Sequence, residues 1–123
     1  MASGRSGLIA AETLTVKRGD IVTVAAGSGF GGKPRPALVI QSDDLAGMPK
    51  VIVALFTTEL LNRPPLRPRF EPDTKNGLAQ PSELMADVII TVPHDKVGKA
   101  IGQLSATDLR RAETAILFAL GFS

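Results

Sequence analysis

The segment Gly27-Ser28-Gly29-Phe30-Gly31-Gly32-Lys33-Pro34-Arg35-Pro36 runs directly into the apolar stretch Ala37-Leu38-Val39-Ile40-Gln41, and this junction constrains the fold more than any other part of the chain. Four of the six residues from Gly27 to Gly32 are glycine, so the backbone there can take positive φ and approach a ligand closely. Pro34 and Pro36 fix φ near the extended region, and the second proline also biases Arg35 away from helix. The arginine is thereby held at the mouth of a strand, with a planar fork suited to phosphate or carboxylate. A strand follows the glycines and no Gly-Lys-Ser/Thr ending is present, so a nucleotide cradle at a helix N-terminus does not apply.

On either side of this junction the chain reads as a series of strands closed by one helix. Residues 1–16 are small and polar without a lasting period and read as a flexible arm; residues 17–123 read as one domain. Lys17-Arg18-Gly19-Asp20 turns into a first strand over Ile21–Ala25, and Ala37–Gln41 forms a second, continuously apolar and suited to burial on both faces. Val51–Thr58 is a third, β-branched and apolar until its two terminal threonines. Asn62-Arg63-Pro64-Pro65 must be a loop, because adjacent prolines cannot continue a sheet ladder. From Leu66 to Pro72 polarity alternates, with Arg67, Arg69 and Glu71 on one side and Leu66, Pro68, Phe70 and Pro72 on the other, as in an edge strand with an arginine face.

Asp73-Thr74-Lys75-Asn76-Gly77 carries an Asn-Gly turn signal, and Ser82–Asp87 leads into a strand at Val88–Val92. A short link follows, with a strand at Val97–Ile101. Ser105, with Asp108 three residues on, caps a helix whose Leu109, Ala112, Ile116 and Leu120 share one face; Gly121 ends it. Strands first and one helix last describe a mainly β small barrel with a terminal helix packed on it.

Composition then narrows the chemistry. With no cysteine and a single histidine, His94, thiolate nucleophiles, sulfur-ligated metals, histidine clusters and serine–histidine triads are all excluded. Carboxylate, guanidinium, ammonium and hydroxyl groups remain. The net charge of +2 says little, but Lys33 with Arg35, and Arg63 with Arg67 and Arg69, lie in stretches free of acids that suit a phosphate backbone. No apolar run approaches the roughly 18 residues of a membrane helix, and no secretory signal is evident, so a cytoplasmic protein is expected. Read singly, each residue has a plain alternative: Arg35 as a surface arginine ending a turn, Thr57 and Thr58 as ordinary strand residues, Asp87 as a strand-entry residue.

In their order, Lys17-Arg18-Gly19-Asp20-Ile21-Val22, then Gly31-Gly32-Lys33-Pro34-Arg35-Pro36-Ala37-Leu38-Val39-Ile40-Gln41, then Val53-Ala54-Leu55-Phe56-Thr57, the chain resembles the MazF/PemK (Kid) family of toxins from type II toxin–antitoxin pairs. The resemblance spans about residues 17 to 122. It implies an SH3-like barrel similar in fold to the CcdB toxin, a homodimer, and a metal-independent endoribonuclease without cofactor that cuts single-stranded RNA at short sequences. It also implies a cognate antitoxin whose disordered tail occupies the RNA groove. By the same resemblance Arg35 falls on the catalytic arginine, Thr57 on the threonine that holds the scissile phosphate, and Asp87 on an acidic site position. Ser28, Phe30 and Lys33 are candidates to close over a nucleotide, and Thr58, Arg67 and Arg69 to contact RNA; exposed arginines on an edge strand also discourage aggregation.

The chain departs from the family pattern at three places. Val88 stands where glutamine is usual, Ile90 where arginine is, and Met85 where the plasmid-type branch has a second catalytic arginine. These departures leave room for another class of function: a CcdB-like toxin that inhibits a topoisomerase by contact, or a degenerate protein that only binds its antitoxin.

Overall fold

The computed structural model describes residues 16–25 and 33–122. The glycine loop with Ser28 and Phe30, and all but the last residue of the N-terminal arm, lie outside the described residues. Six strands follow in order: β1 (Asp20–Val24), β2 (Arg35–Val39), β3 (Lys50–Thr57), β4 (Arg69–Phe70), β5 (Ser82–Pro93) and β6 (Val97–Gln103). One helix, α1 (Ala106–Leu120), ends the chain. The strands form one antiparallel sheet in the order β4-β5-β3-β2-β1-β6, a half-barrel with β4 and β6 at its edges.

Both faces of the central strands are sealed, as the unbroken apolar runs require. Along β2, Leu38 joins Ile21, Ala54, Phe56, Phe70, Leu84 and Ala86 in a cluster under α1, while Ala37 and Val39 join Val22, Val24, Val51, Val53 and Leu55 on the opposite face. Ala112 and Ala115 are buried, and their small side chains let α1 lie close to the sheet beside Ile116. Phe56 and Phe70 meet edge to face at 6.1 Å, and the Arg111 guanidinium lies 4.4 Å over the Phe70 ring. Arg18 ties the start of β1 to α1 through a 2.6 Å bond to Glu113 and also donates to the Ile40 carbonyl.

The helix caps follow the sequence. Ser105 accepts from the Asp108 N–H at 3.1 Å, and Gly121 takes φ 83° at the C-terminus. At the Asn-Gly turn, Gly77 has φ 70°, and a Cβ there would stand 2.0 Å from the Ile101 carbonyl oxygen. Asn76 is buried, accepting from the Leu78 N–H at 2.9 Å and donating to the Glu71 carbonyl at 2.9 Å.

Some element bounds differ from those the sequence suggests. The edge strand is confined to Arg69–Phe70, since Pro64, Pro65, Pro68 and Pro72 supply no ladder donors around it. The lead-in at Ser82–Asp87 and the strand at Val88–Val92 are one 12-residue strand, and β6 runs on to Gln103. Leu120, expected on the core face of α1, is 56% exposed; Ala115 takes its place inside.

Phe70 anchors the short edge strand to both the sheet and α1. Phe70→Ala is expected to lower the unfolding free energy by about 3–5 kcal/mol, read as a fall in the urea midpoint at unchanged slope.

Candidate active site

The site follows from strand register. Ala37 pairs with Leu55, Leu38 with Ala54 and Val39 with Val53. Carried two residues toward the start of β2, the same register sets Arg35 across from Thr57. On its other side Arg35 pairs with Val24, Thr57 pairs with Glu83 on β5, and Glu83 pairs with Arg69 on β4. Arg35, Thr57, Glu83 and Arg69 thus form one row across the sheet, and directly opposed residues share a face.

Arg35 opens β2 and is exposed, whereas Thr57 closes β3 and is half-buried. Together with Pro36, Phe56, Thr58 and Ser82 they line a shallow pocket of about 50 Å³ at the rim of the sheet. This is far below the roughly 300–1,000 Å³ of small-molecule and cofactor pockets. It suits a single charged group approached from outside. The Thr57 hydroxyl oxygen accepts from the Glu59 N–H at 3.0 Å. One lone pair is thereby occupied, and the hydroxyl proton can be donated to an anion. A guanidinium and an oriented hydroxyl on neighbouring strand ends can bind two oxygens of one phosphate. Among the described residues no three of His, Cys, Asp and Glu gather where they could hold a metal ion.

Asp87 does not line this pocket. The β3–β5 register shifts between Ala54, opposite Ile89, and Phe56, opposite Leu84, so the stretch Met85–Val88 bulges past Leu55. Asp87 turns outward there and accepts the Arg67 fork at 3.3 and 3.4 Å. Arg67, whose side chain is only 16% exposed, is therefore committed to Asp87, while Arg69 pairs with Glu71 at 2.8 Å on the surface. Lys33 and Thr58 are exposed, Thr58 within the pocket lining. Arg67 and Arg69 instead border a larger cleft of about 450 Å³ with Pro64, Pro65 and Arg111.

The three departures have a structural counterpart. Met85, Val88 and Ile90 all pack against the cluster on the face away from α1, the first two from the bulge and Ile90 from the regular ladder opposite Val53. One residue of the row escaped the sequence reading: Glu83, 1% exposed, with a carboxylate that accepts from the Leu61 and Asn62 N–H groups at 3.0 and 2.9 Å. An acid after Pro81-Ser82 reads as part of a solvated lead-in. Its only sequence signal is that the next residues, Leu84 to Val92, hold strand polarity apart from Asp87.

A family model described as "PemK-like, MazF-like toxin of type II toxin-antitoxin system" matches residues 17–120. The chain is 42% identical over 108 residues, 88% of its length, to a probable endoribonuclease MazF of Mycolicibacterium smegmatis, of which the match covers 99%. Among solved structures it is similar to the Mycobacterium tuberculosis toxin MazF-mt6, with a TM-score of 0.72 at 27% identity over 85% of this chain and 98% of that one. It also shares its fold with a mycobacterial endoribonuclease solved in complex with its cognate antitoxin, with a TM-score of 0.73 at 20% identity over 88% and 97% of the two chains.

The forked contact between Arg67 and Asp87 is partly screened by solvent. A double-mutant cycle on Arg67→Ala and Asp87→Ala is expected to give a coupling of about 0.5–1 kcal/mol that falls as salt rises. A coupling indistinguishable from zero in thermal unfolding would mean that the two side chains meet without stabilising the bulge.

Proposed function

The chain belongs to the PemK-like, MazF-like toxin family of type II toxin–antitoxin systems, and from that premise we propose that it is an endoribonuclease in which Arg35 and Thr57 hold the scissile phosphate of single-stranded RNA. The observation that carries this reading is the meeting of these two side chains in one shallow rim pocket. As the family resemblance implies, the nucleophile comes from the substrate. The ribose 2′-oxygen attacks the adjacent phosphorus, its proton passes to a base or to water, and the 5′-oxygen leaves with a proton, so that the upstream fragment ends in a cyclic phosphate. Arg35 stabilises the charge on the phosphoryl oxygens, and Thr57 donates to one of them. Proton transfer by Arg35 itself is disfavoured, because a guanidinium stays charged up to a pH of about 12.

Asp87 enters this reading through Arg67, as the carboxylate that orients the arginine. Lys33, Thr58 and Arg69 extend the basic and polar rim along which RNA would lie. Two partners complete the proposal. An antitoxin would silence the enzyme by covering the groove. A second copy would meet the apolar end of α1, where Leu117, Phe118, Leu120 and Phe122 are exposed beside a cleft lined by Ile40, Ile52 and Ile89. No helix among the described residues is long and apolar enough to cross a membrane, and we place the activity in the cytoplasm, where messenger RNA is met. The catalytic domain begins no later than Val16, which packs against the apolar cluster on the face away from α1.

Purified protein is expected to cut a long single-stranded RNA in EDTA at a limited set of sites mapped by primer extension. Arg35→Ala should reduce the rate by about 100- to 1,000-fold without loss of folding. Cutting that survives Arg35→Ala, or that requires added divalent metal, contradicts the assignment; a folded wild type that cuts nothing favours the contact-inhibitor class of toxin.

A further inference from the structure

The row across the sheet places an acid beside the phosphate-binding threonine, and no step of the cleavage uses it. Glu83 sits directly opposite Thr57 in the β3–β5 ladder, on the same face of the sheet. Its carboxylate is buried, and among the described residues no cation pairs with it. Taking a charge out of water without a counter-ion is costly, and an apolar side chain would fill a strand position next to Leu84 at no such cost. What the carboxylate receives instead is two successive backbone N–H groups, Leu61 on one oxygen at 3.0 Å and Asn62 on the other at 2.9 Å.

Those two donors belong to the segment that leaves Thr57. Residue by residue it runs from Thr57, whose hydroxyl is engaged by the Glu59 N–H, through Thr58 in the pocket lining, to Leu61 and Asn62. Asn62 has φ 56°, and consecutive N–H groups around a left-handed residue form a concavity that binds an anion. Here the anion is internal. The segment is therefore pinned at two points, by Thr57 at its start and by Glu83 at its end, with Thr58 held between them.

We infer that Glu83 is a positioning residue that fixes the 57–62 segment against the Arg35–Thr57 pocket and so determines which nucleotides the enzyme accepts beside the scissile phosphate. The inference rests on the endoribonuclease reading above. Arg35 comes from the neighbouring strand and Thr57 is held as the last residue of the β3 ladder, so phosphate binding does not depend on the clamp at Leu61 and Asn62. Loss of the clamp should therefore loosen substrate selection more than it slows the chemical step.

The test compares wild type, Glu83→Gln and Glu83→Leu in EDTA, by mapping cuts in a long single-stranded RNA and by steady-state kinetics on an oligonucleotide taken from the strongest site. Glu83→Leu is expected to add new cut sites and to raise KM by about fivefold to tenfold, with a smaller fall in kcat. Glu83→Gln keeps one acceptor oxygen and should fall between the two. A second variant, Asn62→Val, places a β-branched residue at a positive φ and disturbs the same clamp from outside the sheet, so it decides the matter where Glu83→Leu fails to fold. Folded variants with the wild-type cut pattern and KM overturn the inference and leave the endoribonuclease reading standing. A wild type that cuts no RNA overturns both.

Discussion

The ladder between β2 and β3 is the constraint on which the rest of the molecule depends. Leu38 and Ala54 point into the cluster under α1, and Ala37, Val39, Val53 and Leu55 into the cluster on the other face. A slip of one residue would exchange the two sets and move every side chain to the wrong face. Burial on both sides therefore fixes the register, and the fixed register sets Arg35 beside Thr57. Neither residue needs a partner in the core to be placed; the apolar residues next to them in sequence do the placing.

With both faces of the central strands sealed, chemistry is left to the rim, where β2 begins and β3 ends. Pro34 and Pro36 stiffen the entry to β2, and the local turn that engages the Thr57 hydroxyl stiffens the exit from β3. On the proposed reading this small rim pocket holds one phosphate, and the substrate brings its own nucleophile. Two carboxylates hold polar elements around that site: Glu83, in the row, accepts from the segment after Thr57, and Asp87, in the bulge, pairs with Arg67. The edge strand β4 is kept short by its prolines and anchored through Phe70, so the arginines near it are presented by a loop, not by a long exposed ladder.

Much of this was legible in the sequence because the signals were local. β-branched runs gave β1, β2 and β3, Ser105 and Gly121 gave the ends of α1, and Asn76-Gly77 gave its turn. The resemblance gave a mainly β barrel-type fold with a terminal helix, and the family. What could not be read depended on pairing between distant segments. The 12 residues of β5 looked like a lead-in and a separate strand because Glu83 and Asp87 interrupt its apolar pattern. One of those acids is buried by backbone donors from a loop more than twenty residues earlier in the chain, and the other lies in a bulge that only the β3–β5 register reveals. The missing second arginine at Met85 likewise reads as a loss in the sequence, whereas in the fold Met85 is part of an apolar cluster. Leu120 shows the converse, a residue with the right helical spacing that stays exposed because it borders an open cleft with Ile40, Ile52 and Ile89.

The central claim is that the protein grips one phosphate and the RNA supplies the attacking oxygen. It is tested most directly by an oligonucleotide carrying a single 2′-deoxy substitution at the scissile nucleotide, with mass analysis of the ends made from its all-ribose counterpart. The account predicts that the all-ribose strand yields a 2′,3′-cyclic phosphate and that the substituted strand binds but is not cut. Cleavage of the substituted strand at a comparable rate, or 5′-phosphate products, would contradict it.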